Sequence, residues 1–124
     1  MNAFEIFSAN GMIAQSMSSS YEHRPQQIEM AEAVEQALEA KSHLIVEAGT
    51  GVGKSLAYLV PLIIWARETN QRAVVATYTK ALQQQLVDKD LPFLKRVLGD
   101  FRWALCVGGE NYLCLRRFDQ LRMG

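Results

Sequence analysis

Nine residues, Glu47-Ala48-Gly49-Thr50-Gly51-Val52-Gly53-Lys54-Ser55, directly follow the apolar run Leu44-Ile45-Val46 and constrain the fold more than any other part of the chain. The order predicts a strand that ends, glycines that turn the backbone, and a helix that begins at the Gly-Lys-Ser. Glycines let successive N–H groups curl around an anion with no Cβ in the way. A helix starting near Gly53 aims its positive end and its unpaired N–H groups at the same anion. In such a phosphate-binding loop Lys54 reaches the outer phosphates and the Ser55 hydroxyl suits a magnesium ion, with Ala48, Thr50 and Val52 completing the cradle. The strict pattern places glycine where this chain has Ala48, five residues before Gly53. The alternative reading is a glycine-rich turn without a ligand.

The 124 residues hold at most one small domain, and 49% hydrophobic content is enough for a core. Net charge is zero, so no overall field recruits a polyanion. The charge is uneven, however: residues 1–40 carry six acids and one base, and residues 95–124 carry six bases and three acids. That asymmetry permits a polyanion near the C-terminal end without requiring one. Two cysteines beside a nucleotide-type loop point to a reducing compartment, not a disulfide framework. The first twenty residues hold Glu5 and no Lys or Arg, unlike a secretory signal. The uncharged stretch Ser55 to Ala66 is far short of the roughly 20 residues a membrane span needs. A cytoplasmic setting without membrane contact is expected.

Periodicity organises the rest. Residues 1–20 read as an irregular lead-in, with Asn10-Gly11 as a turn and Ser18-Ser19-Ser20 as a loop. From Pro25 to about Ala40, Ile28, Ala31, Val34 and Leu38 form one helical face, and Glu32, Glu35 and Glu39 line another. Leu44–Glu47 reads as a buried strand, and residues 53–69 as a helix that Pro61 should kink or loosen. Ala73–Thr77 is a second expected strand, and Thr79 can cap a third helix. Asp90-Leu91-Pro92 should interrupt that helix before Phe93, Leu94, Val97 and Leu98 continue a helical face. Phe101–Val107 reads as a third strand, with Cys106 as a small structural side chain inside it. Strand and helix alternate throughout, which predicts an α/β fold: a parallel sheet with helices on both faces.

Two further constellations carry chemistry. Arg24 and Gln27 stand at a helix start before the loop, and a glutamine amide offers the donor and acceptor that match an adenine edge. Gln at a helix start is also ordinary. After the second expected strand, Thr77, Thr79 and Lys80 surround an open helix N-terminus, a cradle for a nucleic-acid phosphate or simply a capped helix with a polar face. His23 and His43 have no ligand spacing to a cysteine, and the gap from Cys106 to Cys114 is too wide for a structural zinc site. Arg116 and Arg117 fit a nucleic-acid backbone or a solvated helix equally well.

Taken together, Arg24-x-x-Gln27, Ala48-Gly-Thr-Gly-x-Gly-Lys-Ser55 and Thr77-x-Thr79-x-x-Leu82-x-x-Gln85-Leu86 resemble the start of superfamily 2 helicases, with their Q motif, motif I and motif Ia. Such helicases often open motif I with alanine. The tail Gly108-Gly109-Glu110-Asn111-Tyr112-Leu113-Cys114 resembles the Gly-Arg-x-Asn-Tyr-x-Cys segment of the DinG/XPD type, whose cysteine is the first of four ligands to a four-iron four-sulfur cluster. The resemblance runs from about Tyr21 to Phe118. It implies a partial RecA-like motor domain that binds ATP and Mg2+ and belongs to a helicase moving 5′ to 3′ along single-stranded DNA. The implied setting is DNA repair or replication. Single-stranded DNA and duplex junctions are the implied partners, and the complete motor is expected to be monomeric. By this resemblance Gly49, Thr50, Gly51, Gly53, Lys54 and Ser55 serve phosphates and magnesium, Arg24 and Gln27 serve adenine, Thr77, Thr79 and Lys80 serve DNA backbone, and Cys114 serves the cluster.

The implied division is a lead-in over 1–20, the N-terminal part of motor domain 1 over 21–107, and the start of an iron–sulfur domain over 108–124. Two departures stand out. Gly109 replaces the family's arginine, and no Asp-Glu pair follows an apolar strand to act as the magnesium-holding acid. The chain therefore looks like the first piece of a helicase, either a truncated gene product or an incomplete sequence, and is expected to be inactive alone. The rival readings are a fragment that only binds nucleotide or DNA, and another P-loop enzyme such as a small-molecule kinase.

Overall fold

A computed structural model describes residues 1–17, 22–49, 51 and 53–123; the expected loop Ser18-Ser19-Ser20, with Tyr21, Thr50 and Val52, lies outside the described residues. Helices come in the order α1 (Ala3–Phe7), α2 (Met12–Met17), α3 (Pro25–Ala40), α4 (Lys54–Thr69), α5 (Lys80–Gln85), α6 (Leu91–Leu98) and α7 (Leu115–Met123). A π-turn, Leu86–Asp90, joins α5 to α6, and a 3-10 turn spans Gly109–Asn111.

At the centre is α4, whose Ala57, Leu59, Val60, Pro61, Ile63 and Ile64 are all buried. Burial on more than one side of the helix marks it as an internal element. Along its length α3 packs against it, placing the helix that follows the glycine loop beside the helix that carries Gln27. Arg67 in the last turn of α4 donates to the Leu98 carbonyl at 2.6 Å, tying the C-terminal ends of α4 and α6 together. Pro61 leaves α4 continuous from Lys54 to Thr69.

The lead-in is not irregular. It forms α1 and α2, and Ala3, Ile6, Phe7 and Ile13 are among the most buried residues of the core. Asn2 and Glu5 make a reciprocal capping box that starts α1. The Ala3 N–H donates to Glu35 Oε2 at 2.9 Å, which fastens α1 to α3. The expected turn at Asn10-Gly11 is present, with Gly11 N–H donating to the Ser8 carbonyl.

Helical structure also runs through Asp90-Leu91-Pro92, where an interruption was expected. Pro92 has no N–H to donate and its ring crowds the carbonyl one turn back. The chain answers with a wider turn, closed by Leu91 N–H on the Leu86 carbonyl.

The three expected strands are absent as strands among the described residues. No backbone hydrogen bond joins Leu44–Glu47, Ala73–Thr77 or Phe101–Val107 to one another. Ile45 is 97% exposed and Val74 88%, with Leu44, Val46, Val75 and Leu105 also open to solvent. Strands of a parallel sheet are stabilised by burial on both faces and by ladders on both sides. The helices here cover too little of these segments to supply either. Cys106, expected to sit inside a strand as a structural side chain, is exposed for the same reason.

Candidate phosphate loop and nucleic-acid interface

The loop between Val46 and α4 turns on glycines with positive φ. Gly51 and Gly53 both stand at φ 79°, a backbone region that disfavours any residue with a Cβ. Gly53 is also the N-cap of α4, and no side chain caps the helix there. The first N–H groups of α4 therefore point into the loop without a capping side chain, an arrangement that attracts anions.

Gln27 locks this corner. Its side chain is 4% exposed, and its Nε2 donates to the Gly53 carbonyl at 3.1 Å. A Cβ on Gly53 would collide with that amide and come within 3.4 Å of the Arg24 guanidinium. The structure thus brings Arg24, Gln27, Gly53 and Lys54 together. Arg24 pairs through NH2 with Glu22 Oε2 at 3.0 Å, on the solvent side of the α3 N-terminus. Lys54 Nζ reaches across the loop to the Ala48 carbonyl at 3.1 Å. Ser55 follows in the first turn of α4, partly buried.

A second cluster gathers at the start of α5. Thr79 is its N-cap, and its hydroxyl accepts from Leu82 N–H at 3.2 Å, as its position predicts. The Thr77 hydroxyl makes a long contact, 3.5 Å, with the Thr79 carbonyl. Lys80 Nζ donates to Asn111 Oδ1 at 3.1 Å. Sequence reading missed Asn111 as a partner, because nothing in the spacing of residues 31 positions apart announces a contact.

Cys114 is exposed just before α7, and Cys106 is exposed as well. Among the described residues no group of three His, Cys, Asp or Glu side chains could hold a metal. A four-iron cluster needs four ligands, so the residues in hand do not make a complete site. No described helix is long and apolar enough to cross a membrane.

Residues 25–120 match the family profile of the DEAD/DEAH box helicases. The chain belongs to that family. Membership carries with it a RecA-like motor fold, as the motif order implied. Among similar helicases, an ATP-dependent DNA helicase YoaA of Haemophilus influenzae is 44% identical over 94% of this chain and 18% of the relative. An ATP-dependent helicase DinG of Mycobacterium tuberculosis is 53% identical over 73% of this chain and 14% of the relative. A Bacillus subtilis relative, named a 3'-5' exonuclease DinG, is 32% identical over 96% of this chain. The chain thus spans under a fifth of the length of the helicases it matches, and these relatives place it with the DinG/YoaA branch of the family.

Proposed function

We propose that this chain supplies the ATP-binding part of an ATP-dependent DNA helicase. The observation that carries the reading is the corner formed by Gln27, Gly53 and Lys54, where a glycine turn runs into a helix start that no side chain caps. Backbone N–H groups of the glycine loop would hold the phosphates, Lys54, now on the Ala48 carbonyl, would serve the outer phosphates, and the Ser55 hydroxyl would serve as a magnesium ligand. The loop motif assigns Thr50 and Val52 to the same phosphate site, and Arg24 to the adenine. Gln27 serves adenine only through what its amide has left after bracing Gly53.

The second half of the function is nucleic acid. Thr77, Thr79 and Lys80 contact the backbone of single-stranded DNA, and the uneven charge leaves the C-terminal end of the chain the more basic one. In the longer polypeptide, further strands pair with residues 44–47, 73–77 and 101–107 and complete a parallel sheet. There Cys114 provides one thiolate to an iron–sulfur cluster whose other ligands this chain does not supply. Relatives at 44% and 53% identity carry helicase names, which favours unwinding over the nuclease activity named for the Bacillus protein.

The 124 residues contain no Asp-Glu pair to complete the magnesium site, so this chain alone binds ATP without turning it over. The test is titration with MgATP followed by phosphate release. Binding should weaken at least about tenfold in Lys54→Ala, the scale of a charge-assisted hydrogen bond lost. Equal binding by wild type and variant would remove the phosphate-loop reading, and steady turnover above the variant would remove the claim of inactivity.

A further inference from the structure

Asn111 holds its side-chain oxygen in a fixed seat. Its backbone N–H donates to the Gly108 carbonyl at 2.9 Å, and its Nδ2 donates to the same carbonyl at 3.3 Å. Beside it the Tyr112 hydroxyl accepts from Val107 N–H at 3.1 Å, pinning the other side of the turn. With the amide nitrogen spent on Gly108, the oxygen faces Lys80 Nζ at 3.1 Å. The flipped amide would set two donors against each other, so the network fixes the orientation.

Lys80 makes no ion pair among the described residues; those present join Glu5 to the N-terminus, Glu22 to Arg24, Asp100 to Lys95 and Asp119 to Arg122. A neutral amide oxygen therefore aims the ammonium without cancelling its charge. A carboxylate in the same place would have neutralised it. The seat belongs to the tail that leads three residues on to Cys114, while Lys80 opens α5.

We propose that Asn111 is a positioning residue: it presents the uncompensated Lys80 ammonium to a phosphate of single-stranded DNA and so ties the cysteine-bearing tail to the nucleic-acid contact. This rests on the reading of Lys80 as a DNA-backbone contact. Phosphate binding pulls Lys80 towards the anion while Asn111 remains a second acceptor for its remaining hydrogens.

The test uses the full-length polypeptide that carries this chain and a fluorescent oligo-dT strand, with affinity measured across a salt series. Lys80→Ala should weaken binding about tenfold and flatten the salt dependence by roughly 0.7 in log–log slope, the value of one phosphate contact on a single strand. Asn111→Ala should move affinity and slope in the same direction by a smaller amount, and should do nothing further in the Lys80→Ala background. Thermal midpoints of all variants report whether the fold is kept. If Asn111→Ala weakens binding equally with and without Lys80, it acts through the turn alone and the inference falls. If Lys80→Ala changes neither affinity nor slope, the DNA-contact reading fails and takes the inference with it.

Discussion

Gln27 and Gly53 are 26 residues apart in sequence and are joined by a hydrogen bond of 3.1 Å from the side-chain amide to the glycine carbonyl. The carbonyl belongs to the residue that must adopt positive φ for the chain to enter α4. Gln27 therefore braces the glycine turn, the proposed phosphate loop, from the neighbouring helix. Gln27→Met keeps the side-chain volume and removes one donor, leaving the Gly53 carbonyl only the Ala57 N–H at 3.2 Å, at a cost of about 1 kcal/mol. We expect MgATP affinity to fall about fivefold or more, with Lys54 untouched. Gly53→Ala should be worse, since it adds backbone strain and a collision with the same amide. Titration with a fluorescent ATP analogue checks both; unchanged affinity in Gln27→Met would mean the loop holds its shape unaided.

The two phenylalanines of α1 make an internal control for the role of the N-terminal helices. Phe7 is fully buried and Phe4 is 59% exposed. Phe7→Ala should cost about 3–5 kcal/mol, whereas Phe4→Ala should stay within roughly 0.5 kcal/mol. Urea midpoints of the two variants measure the difference. Similar midpoints would show that α1 is not docked on the core in solution.

Exposed Ile45 and Val74 make the next prediction one of association. Unpaired apolar segments with free N–H and C=O groups are templates for pairing with another chain. The isolated 124-residue chain should self-associate as concentration rises, and Ile45→Lys with Val74→Lys should shift it towards monomer. Sedimentation velocity decides. A wild-type monomer with a sharp, cooperative thermal transition would contradict this.

The helices were legible because their signals are local. Ile28, Ala31, Val34 and Leu38 mark α3 by period alone, and Pro25 and Thr79 start α3 and α5 where their chemistry predicts. The three expected strands were read from apolar runs, but a ladder needs partners that no run carries within itself, and none forms among the described residues. Helices α1 and α2 are five and six residues long, too short for periodicity to show, although Asn2-x-x-Glu5 was a capping signal present in the sequence. In the site, the glycine loop could be read from spacing. The bonds from Gln27 to Gly53 and from Lys80 to Asn111 could not, because tertiary packing brings those residues together.

Asp90 gives the pH dependence. One of its carboxylate oxygens is buried at the end of the π-turn with no hydrogen-bond partner, and burial raises its pKa above 3.8 despite the lowering influence of Gln85 and Lys89. The folded state thus holds this proton more tightly than the unfolded chain. The Asp90 contribution is most favourable below 3.8 and is lost as pH rises through the raised folded value. Asp90→Asn should remove that loss, so its advantage over wild type grows from acid to neutral pH. Urea midpoints at several pH values, taken in the Ile45→Lys/Val74→Lys background, measure the gap. A gap that is constant with pH would mean Asp90 titrates normally.

The helical cluster has a consequence for synthesis on the ribosome. Among the described residues, every buried residue of the core lies between Ala3 and Leu98, so the cluster can close as soon as that length has emerged. In a polypeptide as long as the YoaA relative, of which this chain spans 18%, translation at about 5–20 residues per second leaves tens of seconds before the remainder exists. Throughout that interval the nascent chain would carry a finished helical layer beside apolar segments open to solvent. Ile45 and Val74 would be the sites a holding chaperone has to shield.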